Sequence, residues 1–482
     1  MKRLLITLFM ILMMTTLVLA ENEPGENSES TKMIVQPDRM VSLEEKAEQI
    51  IELDPEQGEI TATLMDEEGL IYLFTSSGHY MTLNSQGQII SSVQTEINIE
   101  SEQIMLSGNS SLYLSDGNNT RVLYKDGGER LTYDKPFIHY AQAKDGMTVL
   151  LTKTGDLMAT DINGEIMWER RLEGHFSTGL CIGINKSIIT FSDTGKFYMI
   201  QQTGEIIESK ETGIIPATTP IVDMNGELYL GIKASKLVKF TYNGEKAWET
   251  NTAGVVVNQP VFDFSGNVIY ATTGGLVCSV KKKTALENWK FYTDGGIPTG
   301  LSLSQNKDIY FTTTKNKAYV LSADAILKWK SEADASFSLS PVLKDKDTVV
   351  IPAKNKIYIL HENTGGIAKS AWTCLHGNQQ RTQTLFTPTL HRLSTVPYDP
   401  TPLNGETKTQ RTVTFKWELD METTVDFYLG THFPLTRCGI NIKDNTITIP
   451  NLSPNTVYYW RVEPRTDIPN QAIPNWTFRT GE

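Results

Sequence analysis

From about residue 59 onward, apolar and polar positions alternate with period two in short runs, and turn residues separate the runs. The stretch 220–250 shows the unit: PIVDM, ELYLGI, KLVKFTY and KAWET, divided by Asn225-Gly226, Ala234-Ser235 and Asn243-Gly244. Such alternation predicts strands with one buried face, and tight turns of this composition predict antiparallel hairpins. Each unit is therefore expected to be a four-stranded antiparallel meander.

The unit recurs. Tyr72, Tyr113, Val149, Ile189, Tyr229, Tyr270, Tyr310 and Val350 hold one position, at steps of 41, 36, 40, 40, 41, 40 and 40 residues. Other columns keep the beat. Lys196, Lys236, Lys317 and Lys356 open one strand, and Gly179, Pro220, Pro260, Gly300 and Pro341 mark an earlier one. Trp168, Trp248, Trp289 and Trp329 mark a later one. A forty-residue meander cannot enclose a core alone, so eight of them must stack face to face around an axis. The expected fold is all-β, an eight-bladed β-propeller. Pro220, Pro260 and Pro341 suit the innermost strand, whose free edge needs no ladder donor. The Trp column suits the outer strand, where a flat ring docks on the adjoining blade. Ser91, Thr132 and Glu208 fall at or near that position in repeats one, two and four, which predicts looser docking there.

The run TGLSLSQNKDIYFTTTKNKAYVLSADAILKWK, with its sisters GELYLGIKASKLVKFTYNGEKAWE and GNVIYATTGGLVCSVKKKTALENWKF, resembles the pyrroloquinoline-quinone-type propeller repeat. The tail AWTCLHGNQQRTQT, residues 371–384, resembles the closing segment of such propellers, so the resemblance covers about 59–384. For the dehydrogenases of that family it implies a Ca²⁺ and a quinone held in the channel by carboxylate and amide oxygens, often beside a disulfide between adjacent cysteines. This chain departs from that pattern. Cys181, Cys278, Cys374 and Cys438 lie far apart, and the steps leave no room for the long insertions that build a cofactor cavity. No catalytic, cofactor-binding or metal-binding residue is assigned, and no cofactor is expected. The channel is expected to be walled by the inner strands and open to solvent, and the four cysteines are not expected to form two disulfides. Non-enzymatic members of the family, notably a lipoprotein scaffold of the outer-membrane β-barrel assembly machine, use the same repeats as an interaction platform. The seven histidines show no metal-ligand spacing, and His79 and His361 fall at strand positions.

After a loop-like linker at 385–395, the runs TVTFKWEL, TVDFYLGT, NTITIPNL, TVYYWRVEP and PNWTFRT predict a second β domain over 396–482, a sandwich. The run NLSPNTVYYWRVEP and the closing Trp476-Thr477-Phe478 resemble the C-terminal half of a fibronectin type III domain. Trp417, Tyr458 and Trp460 are expected in its core, and Trp460 and Trp476 as packing residues rather than sugar platforms. The resemblance implies a spacer or adhesion module.

The N-terminus reads as an address. Lys2-Arg3, the apolar run Leu4–Leu19 and the small residues Val18 and Ala20 form a signal peptide pattern over 1–20, with no cysteine following for a lipid anchor. An exported protein is expected, periplasmic or at the cell surface, with no membrane span after processing. Residues 21–58 form an acidic arm read as a solvated spacer, with one short helix after the Ser42/Glu45 capping box and before Asp54-Pro55. The run Lys32–Gln36 is a candidate extra strand for the eighth blade. The net charge of −12, without basic patches, argues against nucleic acid as a partner. The function expected is a non-enzymatic scaffold for a protein partner in the cell envelope. A glycan or cell-wall binder is the first alternative, and a quinone-dependent dehydrogenase the second.

Overall fold

The computed structural model describes residues 41–482 apart from 67–68, 85–86, 96, 98–103, 109–110, 125, 224, 369–371, 375, 385–396, 403–405, 420–422 and 466–474. The signal pattern at 1–20, the arm before residue 41, the run Lys32–Gln36 and the linker lie outside these residues. The described chain is all-β, with two short 3-10 turns and one four-residue helix.

Consecutive antiparallel meanders fill the region up to residue 361, in the arrangement of a β-propeller. Numbered in chain order, sheets 1 to 8 span 60–94, 104–133, 137–171, 180–211, 221–251, 261–292, 298–332 and 342–361. Sheet 3 is typical, with Phe137–Gln142, Thr148–Thr152, Asp156–Thr160 and Ile166–Arg171 paired in that order. Neighbouring sheets share their cores. Tyr72 and Phe74 of sheet 1 pack with Leu112 of sheet 2, Tyr113 with Phe137, Leu151 with Ile188, and Phe191 with Tyr229. Phe291 of sheet 6 meets Phe311 and Tyr319 of sheet 7 edge-on. Tyr310 and Tyr358 join sheets 7 and 8. Ile357 and Val350 of sheet 8 then pack with Ile71 and Leu73 of sheet 1, so the last sheet meets the first.

That closure is made by a segment the sequence places elsewhere. Sheet 8 has only three strands of its own, and its outer strand is Gln49–Glu52, antiparallel to Lys356–His361. Val41–Ser42 adds in parallel to the outer edge of sheet 7. Between them Ser42 caps the helix Leu43–Lys46, and Leu43 is fully buried in the core of sheets 7 and 8. Residues 41–53 are thus not a solvated spacer but a clasp. Ile50 and Ile51 lie in its strand, because the unpaired edge of sheet 8 offers ladder bonds that four residues of helix cannot match.

In sheets 1 to 7 the outer strand carries a β-bulge just after its first residue. In sheet 3, Ile166 pairs with Thr160 and Trp168 with Ala159, leaving Met167 as the extra residue. The Trp column is the position just past this bulge. In sheet 2 it holds Leu131, opposite Val122, so the sequence alignment to Thr132 is corrected by one residue: the bulge consumes a position that even spacing does not show.

Residues 397–482 form a three-stranded sheet, Tyr398–Thr401, Val413–Glu418 and Thr446–Ile449, and a five-stranded one. The latter runs in the order Glu406–Thr409, Trp476–Thr480, Val457–Pro464, Val425–Gly430, Thr436–Ile442. Tyr398–Thr401, Glu406–Thr409 and Thr436–Ile442 are strands that alternation alone does not reveal. Both sheets contribute to one core, with Phe415 and Trp417 facing Phe427, Trp460, Trp476 and Phe478.

Candidate functional site

Trp168, Trp248, Trp289 and Trp329 are half-buried on the outer strands of sheets 3, 5, 6 and 7. The Trp168 indole N–H donates to the Gln202 carbonyl of sheet 4 at 2.8 Å, and that of Trp248 to the Lys282 carbonyl of sheet 6 at 3.0 Å. The ring of Trp168 lies on Gly204, where a Cβ would fall 2.7 Å from it and the backbone holds φ +82°. Lys46 of the clasp stacks over Trp329, 4.3 Å from the ring centroid. Where the column lacks Trp, other groups take the contact. Leu131 packs on Gly164 and the Tyr133 hydroxyl donates to the Gly164 carbonyl at 2.9 Å, while Val93 lies against Gly127. Pro220, Pro260 and Pro341 are buried one residue ahead of the innermost strands Ile221–Val222, Val261–Phe262 and Val342–Leu343. Trp417, Tyr458 and Trp460 lie in the C-terminal core.

The lysine column acquires a role that spacing does not predict. Lys196, Lys317 and Lys356 bind Glu173 (2.6 Å), Asp294 (2.8 Å) and Asp334 (2.7 Å), each on the connector leaving the preceding sheet. Lys317, aided by Lys330, draws the Asp294 carboxyl down to about 2. Lys236 departs by pairing with Glu249 of its own sheet.

The inner strands are not left open. Residues 372–374 and 376–384 run around their ends, and carbonyls of this tail accept from one inner-strand N–H after another. The pairs are Phe262 to Trp372, Leu303 to Thr373, Met65 to Gln379, Leu106 to Gln380, Gln142 to Thr382 and Ile182 to Gln383, at 2.9–3.1 Å. The Gln379 side chain donates to the Leu343 carbonyl, and Trp372 packs with Ile221 and Val222, so all eight sheets are touched. Free inner edges carry donors that must be satisfied, and the tail satisfies these. Trp372, His376, Arg381 and Gln383 hold left-handed backbone in doing so, with φ of 50–63°.

Beneath the tail lies a polar cavity of ≈ 90 Å³, lined among others by His139, Thr178, Thr219, Asn258, His376 and Arg381. A second, of ≈ 40 Å³, is lined by Thr63, Ser340 and again Arg381. The His376 N–H donates to Gln259 Oε1, and Gln259 Nε2 donates to Gln383 Oε1, so the Gln383 amide nitrogen faces His376 Nδ1. Since a backbone N–H can only donate, every orientation in this chain follows, and Nδ1 is an acceptor. Burial, reinforced by the Arg381 charge, holds His376 well below its usual range, so the imidazole is neutral with its proton on Nε2. Burial likewise lowers His139 to about 4, and its Nε2 donates to the Phe176 carbonyl at 3.1 Å. Burial pushes the Cys374 thiol up to about 12. Cys181, Cys278 and Cys374 are buried thiols and Cys438 an exposed one. Among the described residues, neither cavity is lined by Asp or Glu, so this donor set does not fit the Ca²⁺ and quinone that the repeat resemblance implies.

On the outer rim the bulges expose apolar side chains. Ile89 and Ile90, Ile166 and Met167, and Ile206 and Ile207 are all exposed, Ile90, Ile166 and Met167 by more than half. In a regular strand one of each pair would point inward. Tyr124 and Ile162, beside the same strands, are exposed too.

No family model matches this chain, and no curated protein matches it. Among solved structures it is similar to BamB from Moraxella catarrhalis, at 13% identity and TM-score 0.51, covering 65% of this chain and 97% of that one. It is similar to the Dos1 propeller at 12% identity and TM-score 0.54, covering 67% and 97%. The C-terminal WD40 domain of Sif2 matches at 12% identity and TM-score 0.52, covering 65% and 98%. At these identities the likeness defines the fold of the repeat region, a β-propeller.

Proposed function

We propose that the chain is an exported, non-enzymatic scaffold: an eight-bladed β-propeller over 59–384 whose rim binds a protein partner in the cell envelope. A fibronectin type III-like β-sandwich over 396–482 follows as spacer or adhesion module. The observation that carries this reading is the arc of bulge-exposed aliphatic pairs on sheets 1, 3 and 4, with Tyr124 of sheet 2 between them. Exposed apolar side chains gathered at matched positions mark contact surfaces. The meeting of sheet 8 with sheet 1 supports the blade number, and two sheets around one core support the sandwich. The charged, apolar and small-residue pattern of 1–20 supports export.

Glycan binding calls for clustered exposed aromatics. Trp460 and Trp476 are buried against each other, and the exposed Tyr124 and Tyr292 sit on sheets 2 and 6. The quinone reading meets a cavity without carboxylates among its described lining residues and with a guanidinium in its wall. The test is the triple variant Ile90→Glu, Met167→Glu, Ile207→Glu of the mature chain. Cross-linking in envelope extract should capture a defined protein with the wild type and lose it with the variant at unchanged melting temperature. Equal capture by both rejects the rim as the binding surface. Saturable turnover of alcohols or sugars with added quinone and Ca²⁺ rejects the scaffold reading itself.

A further inference from the structure

We propose that the outer strand of sheet 1, Ile89–Gln94, is an edge at which a second copy of this chain pairs, antiparallel and about a two-fold axis. This goes beyond the scaffold reading and does not rest on it. The clasp fills the outer edges of sheets 7 and 8, with Val41–Ser42 on the first and Gln49–Glu52 on the second. Sheet 1 comes next around the ring, and the turn that opens its outer strand lies against that clasp, with Gly87 beside Gln49 and Ile359. Among the described residues nothing pairs with the outer side of Ile89–Gln94.

Charged side chains keep a free edge from pairing with another chain, because a second strand would have to desolvate and oppose them. Sheets 2 to 6 follow this rule: each outer strand carries at least two charged residues, from Glu129 and Arg130 in sheet 2 to Glu287 and Lys290 in sheet 6. Sheet 1 departs from it. Its strand reads Ile-Ile-Ser-Ser-Val-Gln, without charge, proline or glycine, a composition suited to pairing between identical strands. Two chains of net charge −12 repel each other, and a neutral strand meeting its own copy opposes no like charges. The backbone is set for it. Thr95 N–H donates to the Gly78 carbonyl at 2.9 Å, so by ladder alternation Ser91 and Val93 bond inward to Thr82 and Tyr80. Ser92 and Gln94 then turn their N–H and C=O groups outward, and both residues are exposed. Ile89 and Ile90, exposed at the bulge, add apolar surface beside the seam. One strand pair buries less than the ~1,200 Å² of a stable complex, so the dimer is weak and concentration-dependent.

Sedimentation equilibrium of the purified full mature chain tests this, and because no extract is present its outcome is separate from partner capture. A monomer–dimer equilibrium that tightens as salt screens the net charge is expected. Ser92→Pro removes an outward N–H and no ladder bond of its own sheet, so it should weaken the dimer about tenfold or more, while Ser92→Thr keeps it. Where the proline variant fails to fold, Ser92→Glu sets like charges against each other across the axis and should weaken the dimer as much. A wild type that stays monomeric overturns the proposal, as does a folded Ser92→Pro or Ser92→Glu variant that dimerises with wild-type affinity. Growth beyond the dimer overturns it too, since pairing with a different strand, such as the uncharged edge Thr446–Ile449, is head-to-tail and does not close at two.

Discussion

Tryptophan does opposite work in the two parts of the molecule. In the repeats, Trp168 and Trp248 lie half-buried at the seam between sheets, and each indole N–H reaches a carbonyl of the next sheet. In the C-terminal part, Trp417 and Trp460 are buried in one core, and their indole nitrogens find no partner among the described residues. The first arrangement makes Trp a directional joint, and the second makes it bulk. A ring of small sheets spreads its stability over many seams, whereas a lone pair of sheets concentrates it in one aromatic cluster of Phe415, Trp417, Phe427, Trp460, Trp476 and Phe478.

The contrast is sharpest under truncation. Trp460→Ala should cost about 3–5 kcal/mol and melt the C-terminal part while the repeats keep their transition, as scanning calorimetry would resolve. A common shift of both transitions would break the comparison. Next in size is the clasp. Leu43→Ala removes a fully buried side chain from the seam of sheets 7 and 8 and should cost about 2–5 kcal/mol. Faster hydrogen exchange should then appear at Gln49–Glu52 and Lys356–His361 before any other seam opens.

Acid separates the two parts more gently. Arg465 pairs with both carboxylate oxygens of Asp426, at 2.9 and 3.0 Å, and with Arg437 lowers its pKa. A carboxyl depressed on folding stabilises above its unfolded value near 4 and loses that contribution as pH falls through the folded one. The C-terminal transition should therefore fall below about pH 4, and Asp426→Asn should flatten that dependence. In the repeats Asp294 titrates only near 2, so the seam of sheets 6 and 7 should hold to lower pH. The smallest effect is expected from Trp168→Phe, which keeps the ring contact but removes one hydrogen bond, about 1 kcal/mol by chemical denaturation.

Much of this was legible from periodicity. Repetition made the sheets visible many times over, and the columns at Pro220, Trp168 and Lys196 placed the first, fourth and third strands. What escaped is what occurs once. Gln49–Glu52 carries two isoleucines between a glutamine and a glutamate, too short to distinguish helix from strand, and its fate is set by an edge some three hundred residues away. The bulge is a two-against-one pairing that a count of residues cannot locate, which is why Leu131 hid behind Thr132. The tail residues could be matched to a closing segment, but not their path, because satisfying the inner-strand donors depends on where eight separate strand ends meet. The cavity around Arg381 left no signal, since its lining comes from several repeats and the tail, each contributing one or two residues.

The clasp also imposes an order of events on synthesis. The Tyr358 hydroxyl donates to the Glu44 carboxylate across 314 residues of chain, so a segment made before the repeats must wait for the last of them before it can pair. Closing so long a loop adds little to the thermodynamic cost, since that grows only logarithmically with length. It does slow folding, and it leaves two sheet edges bare while the repeats accumulate. Glu44, Glu45, Glu48 and Glu52 ring the waiting strand with like charge, which discourages it from pairing with another nascent chain. On this view the acidity of the clasp belongs to the unfinished molecule: it keeps an aggregation-prone strand dissolved until its own edge arrives.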